Sequence, residues 1–595
     1  MYQRGQFGDA ASICRRALKM RPAHLKALDL LGVSLNALGQ HKKSSEIFAE
    51  LTRRNPKQAD HWMNLGTALL AQHRHAEALA AYAGAGALGE ASADFFYNVG
   101  LAHFYMGNFE AALRVLHDAV KLAPEDGEIR YQYAVCCDES MRPDDALAAL
   151  DGWPHMRGLT TDLLAKIGLL LMKLGDLQGA GQAVELASRD PRPDAEASLR
   201  MIQVQERTNR VDEALAGLAR LKRDPRASSL GVDLKAVEAR LADREGRMQE
   251  AHDLLTALLD ATAEFHLRHY YLFPLARSLD ALGRHDDAFS ALDEAHRSQL
   301  SNLKRAAPDS PAWKEPPFRI ADFGCHPADV AAWDTSGSPR VEESPIFIVG
   351  FPRSGTTLLE QTLDAHASLV SMDETRYLYQ VIDRMSGDNI RYPRKLAHMS
   401  RARLDQLRDF YWDKVRRKVD LAPGRRLVDK NPLNLLALPA IRRLFPNSRV
   451  LLAIRHPCDI ILSCYMQHFT APDFVLLCRN LPSLAAAFVR AFEFWNREAA
   501  LLQPAVRDVR YEDLVTDFER QVRAMADFLG LEWTDALLEP GEHARRKGFI
   551  STPSYSQVVQ PVHARSIGRW KAYEKRFDDV IPLLRPHLDR WGYDA

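Results

Sequence analysis

A glycine-bracketed loop at residues 350–357 is the part of this sequence best suited to bind an anion. An apolar run at residues 346–349 leads into the loop, and Thr356, Thr357 and an apolar-periodic segment follow it. This order predicts a buried strand, a turn whose backbone N–H groups converge on an anion, and a helix N-terminus that favours negative charge. Gly350 and Gly355 have the spacing of a nucleotide-binding P-loop, but Thr356 stands where the NTPase pattern requires lysine. We therefore expect a phosphorylated ligand that is not a nucleoside triphosphate.

Polar residues follow three further short apolar runs, each at the point where the run ends. The runs are residues 426–428, 450–454 and 506–509, followed by Asp429-Lys430, Arg455-His456 and Arg510-Tyr511. Ligands of an open parallel sheet bind beyond the carboxyl ends of its strands, so we expect these side chains to face one ligand. An arginine at the end of a buried strand requires an anion nearby. A phosphate group is the simplest partner for Arg455, and Arg353 points to the same rim; an ion pair with Asp459 is the alternative.

The elements that must position these residues lie beyond residue 344. There, short apolar runs alternate with longer helical patterns, which predicts a parallel central sheet with helices on both faces. The candidate strands are residues 346–349 and the three runs above, and the candidate helices are residues 356–366, 459–468, 484–502 and 518–529. This part of the chain is therefore predicted to be an α/β domain of the P-loop-like type.

The first half of the chain contains an internal repeat, which is visible as the evenly spaced Gly32, Gly66 and Gly100 and, in a second phase, as Ala78 and Ala112. Small residues at a fixed phase allow the two helices of a hairpin to approach closely. The pattern resembles the tetratricopeptide repeat family over about residues 1–220, with degenerate copies to about residue 298. We predict an all-α repeat solenoid at residues 1–298, a proline-rich linker at 299–343 and the α/β domain at 344–595.

Repeat arrays of this kind present a concave surface, so a peptide or protein partner is expected there. The alternative is that the repeats only stabilise the second domain or make it oligomerise. Of the two, the sequence favours neither.

Composition excludes several classes of protein. The chain has 595 residues, with Lys+Arg and Asp+Glu balanced at 78 each, so no overall positive field argues for nucleic acid. The seven cysteines form no C-x-x-C pair, which is typical of reduced thiols in a cytoplasmic protein. No run of 18 apolar residues occurs, and the N-terminal residues do not resemble an export signal. We expect a cytoplasmic protein with no membrane span.

The second domain carries the motifs of a known family. The segments are Phe351-Pro-Arg-Ser-Gly-Thr-Thr-Leu358, Asp373-Glu-Thr-Arg376, Asp429-Lys-Asn-Pro432, Arg455-His-Pro457 and Arg510-Tyr-Glu-Asp-Leu514. In this order they resemble the sulfotransferases that use 3′-phosphoadenylyl sulfate (PAPS). The resemblance extends to the tyrosylprotein sulfotransferases and to bacterial proteins that join tetratricopeptide repeats to such a domain. It covers about residues 344–590.

The resemblance implies a set of donor-binding residues. Those implied for the 5′-phosphosulfate are Arg353, Ser354, Gly355, Thr356 and Thr357. Arg455 and Ser463 would hold the 3′-phosphate, and Tyr511 would line the adenosine side. Residues 557–561 and the Arg565-to-Trp570 segment resemble the family's C-terminal loop over the nucleotide, from which Arg569 and Arg565 would reach the phosphates.

The resemblance also implies how transfer occurs. Glu374 matches the general base, with Asp373 as the rival candidate, and Lys430 matches the lysine that meets the bridging oxygen as negative charge develops. Ser554 would bind the same oxygen, and Arg376 would face the acceptor. Transfer would be a direct in-line displacement without a covalent enzyme intermediate. No metal is expected, since the arginines and Lys430 supply the positive charge.

Two other functions compete with sulfuryl transfer. A P-loop kinase or NTPase would use Asp429 to hold magnesium, and a repeat scaffold would carry an inactive sulfotransferase-like domain. The acceptor hydroxyl also stays open: a protein tyrosine, a saccharide or a small metabolite would each fit the motifs.

Overall fold

The structure is a computed structural model that describes residues 5–140, 142–306, 308, 313, 317–386, 392–547 and 561–594. The chain forms two compact units, Met1–Arg207 and Thr208–Ala595. The domain boundaries that the sequence predicts at residues 298 and 343 stay a prediction.

The first unit consists of helices, and most consecutive helices pack against each other. They are α1 (Phe7–Met20), α2 (Leu25–Ala37), α3 (His41–Arg54), α4 (Ala59–Leu70), α5 (His75–Ala87), α6 (Ala93–Tyr105), α7 (Phe109–Leu122), α8 (Gly127–Glu139), α9 (Pro143–Ala149), α10 (Thr161–Lys173), α11 (Leu177–Ala187) and α12 (Ala195–Arg207). The tetratricopeptide-like solenoid predicted from the internal repeat is confirmed.

The glycines of the repeat are needed because the next helix packs a large side chain against each of them. A Cβ atom at Gly32 would lie 2.7 Å from the Phe48 ring, and one at Gly100 would lie 2.6 Å from Leu116. The Gly66 position meets the Tyr82 ring in the same way. Each pair brings the two helices of a repeat into close contact, which explains why the small position and the large position recur together from one repeat to the next.

The second unit begins with five helices. They are α13 (Val211–Leu221), α14 (Gly231–Arg244), α15 (Met248–Asp260), α16 (His269–Ala281) and α17 (His285–Ala306). A five-stranded sheet follows: β1 (Ile346–Gly350), β2 (Leu369–Ser371), β3 (Arg426–Lys430), β4 (Arg449–Ile454) and β5 (Ala505–Arg510).

The sheet is parallel in every pairing, with strand order β2-β3-β1-β4-β5. Helices of the sheet domain are α18 (Pro327–Ala331), α19 (Thr356–Asp364), α20 (Tyr377–Ser386), α21 (Arg401–Lys418), α22 (Leu438–Leu444), α23 (Pro457–Tyr465), α24 (Pro472–Leu477), α25 (Leu481–Leu502), α26 (Tyr511–Thr516), α27 (Phe518–Leu529), α28 (Pro540–Lys547) and α29 (Ile581–Trp591). Alternate residues of β1 enter two different hydrophobic cores, Phe347 and Val349 in one, Ile346 and Ile348 in the other. The predicted α/β fold with helices on both faces is confirmed.

The described part of the predicted linker folds onto helix α25. The backbone N–H of Cys325 donates to Glu498 Oε2 at 3.0 Å, and Arg497 donates to the carbonyl of Phe323 at 2.9 Å. Glu498 is itself buried. Much of residues 317–343 therefore belongs to the packed domain and does not run free between two bodies.

All seven cysteines are free thiols. Within the described ranges, none of the helices combines the length and the apolar character that a membrane crossing requires.

Candidate active site

A cleft with a volume of about 340 Å³ opens at the carboxyl ends of β1, β3 and β4. β1 lies at the point where the strand order reverses direction, since the chain runs from β1 towards β2 on one side and later to β4 on the other. Ligands of doubly wound sheets bind at such a point. Seven of the residues predicted from the sequence line this cleft: Arg353, Gly355, Thr356, Thr357, Glu374, Arg455 and Tyr511.

The loop after β1 has a backbone conformation that glycine makes possible. Gly355 has φ 98°, and a Cβ atom there would lie 2.7 Å from the Tyr511 ring. Gly355 is also the N-cap of α19, whose first N–H groups have no acceptor within the helix. Ser354 is buried, and its Oγ has no hydrogen-bond partner in the part of the chain that the structure describes. The turn therefore presents polar groups with the geometry of an anion site.

Two arginines meet at the rim of this loop. Arg455 donates to the carbonyl oxygens of Arg353 at 3.0 Å and Ser566 at 2.6 Å, and its guanidinium lies 4.8 Å from the centre of the Tyr511 ring. Arg353 Nε donates to Ser463 Oγ at 3.0 Å. Burial lowers the pKa of Arg353, and the positive charge of Arg455 lowers it further. Two cations are thus held together in a partly dry cleft, where an anion would stabilise both.

Among the described residues Arg455 forms no ion pair, and its buried Nε has no partner. The carboxylate of Asp459, the alternative partner predicted from the sequence, accepts instead from the backbone N–H groups of Gly568 at 2.7 Å and Trp570 at 2.9 Å. The structure therefore does not compensate the charge of Arg455 from within this part of the chain.

Behind Glu374, which lines the cleft, a buried lysine lies between two carboxylates. Lys430 Nζ donates to Glu374 Oε1 at 2.9 Å and lies 3.1 Å from Glu360 Oε2. Burial alone would lower the pKa of Lys430, but the charges of Glu360 and Glu374 outweigh it and raise the pKa. Asn431 donates to the carbonyl of Thr375 at 2.7 Å, which holds the segment that carries Glu374 against the end of β3.

The carboxylate of Asp429 is hydrogen-bonded to neighbouring side chains of the protein. Its carboxylate accepts from the Tyr411 hydroxyl at 2.6 Å and from Asn434 Nδ2 at 3.1 Å, and burial raises its pKa to about 6. Neither the side chain nor its neighbours form a group of three metal-ligating residues, and no such group occurs elsewhere among the described residues. The geometry of Asp429 is that of a structural carboxylate, which does not favour the kinase or NTPase alternative.

Comparison with known proteins decides the family. The model of the sulfotransferase family matches residues 345–535, and two tetratricopeptide repeat models match residues 30–93 and 103–161. Protein-tyrosine sulfotransferase 1 of Mus musculus is 30% identical over 271 residues, which are 42% of this chain and 69% of that protein. The chain belongs to the sulfotransferase family.

Two further matches differ in how much of the other protein they cover. An uncharacterized protein of Aquifex aeolicus (strain VF5) is 26% identical over 260 residues, and the match spans only 33% of that longer protein. The solved sulfotransferase domain from the curacin biosynthetic pathway is 19% identical, covers 43% of this chain and all of that one, and has a TM-score of 0.31.

Several residues expected from the sequence lie away from the cleft of the sulfotransferase domain. Arg376 and Arg565 are exposed and do not line it. The guanidinium of Arg569 pairs with Asp280 on α16, which also accepts from the Tyr573 hydroxyl at 2.6 Å. Ser554 and residues 557–560 lie outside the described residues. The roles of these four side chains stay predictions, as do the roles of the other site residues predicted from the sequence.

The sequence reasoning missed two parts of the sulfotransferase site. Glu360 contacts Lys430 from the buried helix α19, and the sequence alone does not show that this carboxylate has a lysine partner. The second part is the wall formed by Phe469, Thr470, Ala471 and Phe474, which no motif marks.

Proposed function

We propose that this protein transfers the sulfuryl group of PAPS to an acceptor hydroxyl. The observation that carries the proposal is the pairing, in one cleft, of a charge-uncompensated Arg455 with a carboxylate–lysine contact between Glu374 and Lys430. The first suits a phosphorylated nucleotide, and the second suits proton removal next to a departing anion.

The residues of the loop fit the donor. Ser354 Oγ is buried without a partner among the described residues, and the N-terminal turn of α19 offers backbone N–H groups, so the 5′-phosphosulfate would find donors there. Arg455 and Tyr511 would hold the 3′-phosphate and the adenosine side. The positive charges of Arg353, Arg455 and Lys430 would serve in place of a metal ion.

Transfer would be a direct in-line displacement. Glu374 would accept the proton of the acceptor hydroxyl while the new oxygen–sulfur bond forms. The bond between sulfur and the bridging oxygen would break, and Lys430 would stabilise the charge that this oxygen gains. Adenosine 3′,5′-bisphosphate and the sulfated acceptor would leave.

The names of the relatives suggest an acceptor, and the architecture of the repeats suggests their role. The names of the mouse relative and others make a protein tyrosine the first acceptor to test. We propose that the repeats present this protein or another partner, because stacked repeats offer an extended surface.

The proposal is tested with the Glu374→Gln variant. We expect transfer from labelled PAPS to a tyrosine peptide to fall about 10²–10⁴-fold, since that is the usual contribution of a positioned base. Heat protection by adenosine 3′,5′-bisphosphate should stay near the wild-type value. Asp373→Asn, the matched control, should keep most of the transfer.

Three outcomes would count against the proposal. Wild-type protein protected by ATP with magnesium and not by adenosine 3′,5′-bisphosphate would favour the kinase alternative. Nucleotide binding without transfer to any tyrosine, saccharide or small phenol would favour an inactive domain. Normal turnover of Glu374→Gln would remove that residue from its role.

A further inference from the structure

Lys430 has two carboxylate partners, and only one of them faces the cleft. The side chains of Lys430 and Glu360 are both 0% exposed, whereas Glu374 is 42% exposed. The contact with Glu374 is a hydrogen bond of 2.9 Å, and the contact with Glu360 is a charge contact of 3.1 Å. The proposed reaction gives a role to Glu374 and Lys430 but none to Glu360.

The position of Glu360 is fixed from two sides. It lies in the middle of α19, and its Oε1 accepts from the hydroxyl of Ser371 at the end of β2. A fully buried carboxylate held in this way cannot turn towards solvent or towards an acceptor. Glu374, at the edge of the cleft, can do both.

The charges around Lys430 change during the proposed reaction. When Glu374 accepts the acceptor's proton it becomes neutral, and one of the two counter-charges of Lys430 disappears. A buried cation that loses its partner is destabilised and tends to release its proton. Glu360 does not exchange a proton with the acceptor, so its negative charge stays beside Lys430 throughout.

We propose that Glu360 is a positioning residue whose permanent negative charge keeps Lys430 protonated and in place while Glu374 changes its charge. This inference rests on the proposed function. It explains why a carboxylate occupies a fully buried position on the helix that follows the phosphate-binding loop. Glu360 acts through Lys430 and touches neither donor nor acceptor.

The charged groups around Lys430 give the sign of the expected pH effect. They are Glu360 from α19, Glu374 and Asp373 from the segment after β2, and the neighbouring Asp429 on β3; Arg353 faces Glu374 from the loop. The carboxylates raise the pKa of Lys430, so its charge persists into the alkaline range. Water screens the exposed Glu374 but not the buried Glu360, so loss of the Glu360 charge should lower that pKa by about one to three units, and loss of the Glu374 charge should lower it less.

The experiment measures adenosine 3′,5′-bisphosphate binding by calorimetry between about pH 7 and pH 10, a range that approaches the ordinary pKa of lysine. In the wild type, affinity should vary little in this range. In Glu360→Gln it should fall by up to about 2-fold towards pH 10, and binding should take up protons there, since a drop of about three units brings the pKa of Lys430 near the ordinary lysine value. The rate at which Glu360→Gln transfers sulfate from PAPS to a tyrosine peptide should decrease as the pH rises over the same range. The decrease should be larger in kcat than in KM.

A second variant distinguishes the proposed electrostatic role of Glu360 from a merely structural one. In Glu374→Gln, Glu360 is the remaining contacting carboxylate, so nucleotide affinity should keep the wild-type pH dependence. This variant also serves if Glu360→Gln does not fold. An alkaline loss of affinity in Glu374→Gln would overturn the inference, because Glu360 alone would then not keep Lys430 charged.

The matched control is Gln361→Met, which changes the next buried polar residue of α19, whose side-chain atoms have no hydrogen-bond partner among the described residues. Its pH profile should equal that of the wild type. An unchanged profile in Glu360→Gln would also contradict the inference. Failure of wild-type protein to bind the nucleotide at any pH would instead contradict the proposed function.

Discussion

At the scale of single residues, Arg455 has the environment that most directly indicates a ligand. Its two hydrogen-bond acceptors are backbone carbonyls, which satisfy N–H groups but carry no net charge. The residue is buried at the end of β4, and the neighbouring cation is Arg353. A buried guanidinium without a carboxylate is costly unless an anion joins it. Among the described residues no carboxylate supplies that negative charge, so we expect an anionic ligand to do so.

We expect Arg455→Ala to weaken the binding of adenosine 3′,5′-bisphosphate by about 10- to 150-fold, because a hydrogen bond to a charged group contributes about 1.5–3 kcal/mol. Binding of adenosine 5′-phosphate should change much less, so the preference for the 3′-phosphate should disappear. Calorimetric titration with both nucleotides measures this. Arg449→Ala, at the other end of β4, is the control, and a variant at Arg455 that still prefers the bisphosphate would contradict the assignment.

At the scale of elements, the turn from β4 into α23 holds the C-terminal segment against the cleft. Asp459, in the first turn of α23, accepts from the backbone N–H groups of Gly568 and Trp570, while Arg455 binds the carbonyl of Ser566. Pro561 to His563 and Ser566 line the cleft. One strand-to-helix turn thus supplies both a cation of the site and the anchor of the segment beside it.

Asp459→Asn should release this segment while leaving the sheet intact. An asparagine offers one acceptor oxygen where the carboxylate offers two, so at least one charged hydrogen bond of about 1.5–3 kcal/mol is lost. We expect faster hydrogen exchange at Gly568 and Trp570, together with weaker nucleotide binding. The exposed Asp473→Asn is the control. Unchanged exchange at both amides would show that other contacts hold the segment.

At the scale of the whole molecule, helices α16 and α17 are part of the compact unit that contains the candidate active site. The hydroxyl of Tyr465 donates to Asp293 of α17 at 2.6 Å, and Gln299 of the same helix donates to the carbonyl of Phe469 at 2.5 Å. Phe469 belongs to the wall of the cleft. Helix α17 therefore supports the wall of the cleft directly, and the sheet domain packs on the helix that precedes it.

Three histidines in this contact, two of them buried and His468 half-buried, should make the second unit sensitive to acid. Burial lowers the pKa of His269, His296 and His468 to about 4, against an ordinary value of 6.5. As the pH falls below 6.5 the unfolded chain takes up protons first, so the free energy of unfolding should decrease between pH 6.5 and 4. The slope should reach at most about 1.4 kcal/mol per pH unit for each histidine.

His468→Phe tests this origin of the acid sensitivity. His468 stacks on Phe273 with ring centres 4.9 Å apart, so a phenylalanine can keep the packing while removing one titrating group. Denaturant unfolding at several pH values should give a shallower decrease for the variant than for the wild type. If the free energy of unfolding falls equally steeply with pH in both proteins, groups other than His468 cause the acid sensitivity.

The sequence predicted the elements of the sheet domain better than their contacts. All four candidate strands are present with nearly the predicted ends, and the helix at 518–529 has the predicted bounds. The strand Leu369–Ser371 was missed, because so short a segment cannot show a periodic pattern. Glu360 was missed because a carboxylate on a buried helix stripe has meaning only once its partner is known.

By itself the sequence determined the repeat period, the glycine-bracketed turn after β1 and the polar residues at the strand ends, because these are local patterns that can be read along the chain. Only the tertiary structure decided which charges meet. It placed Lys430 between Glu360 and Glu374, and it paired Arg569 with the distant Asp280. Such contacts depend on how helices and strands pack, and packing brings together residues whose distance in sequence carries no information about their distance in space.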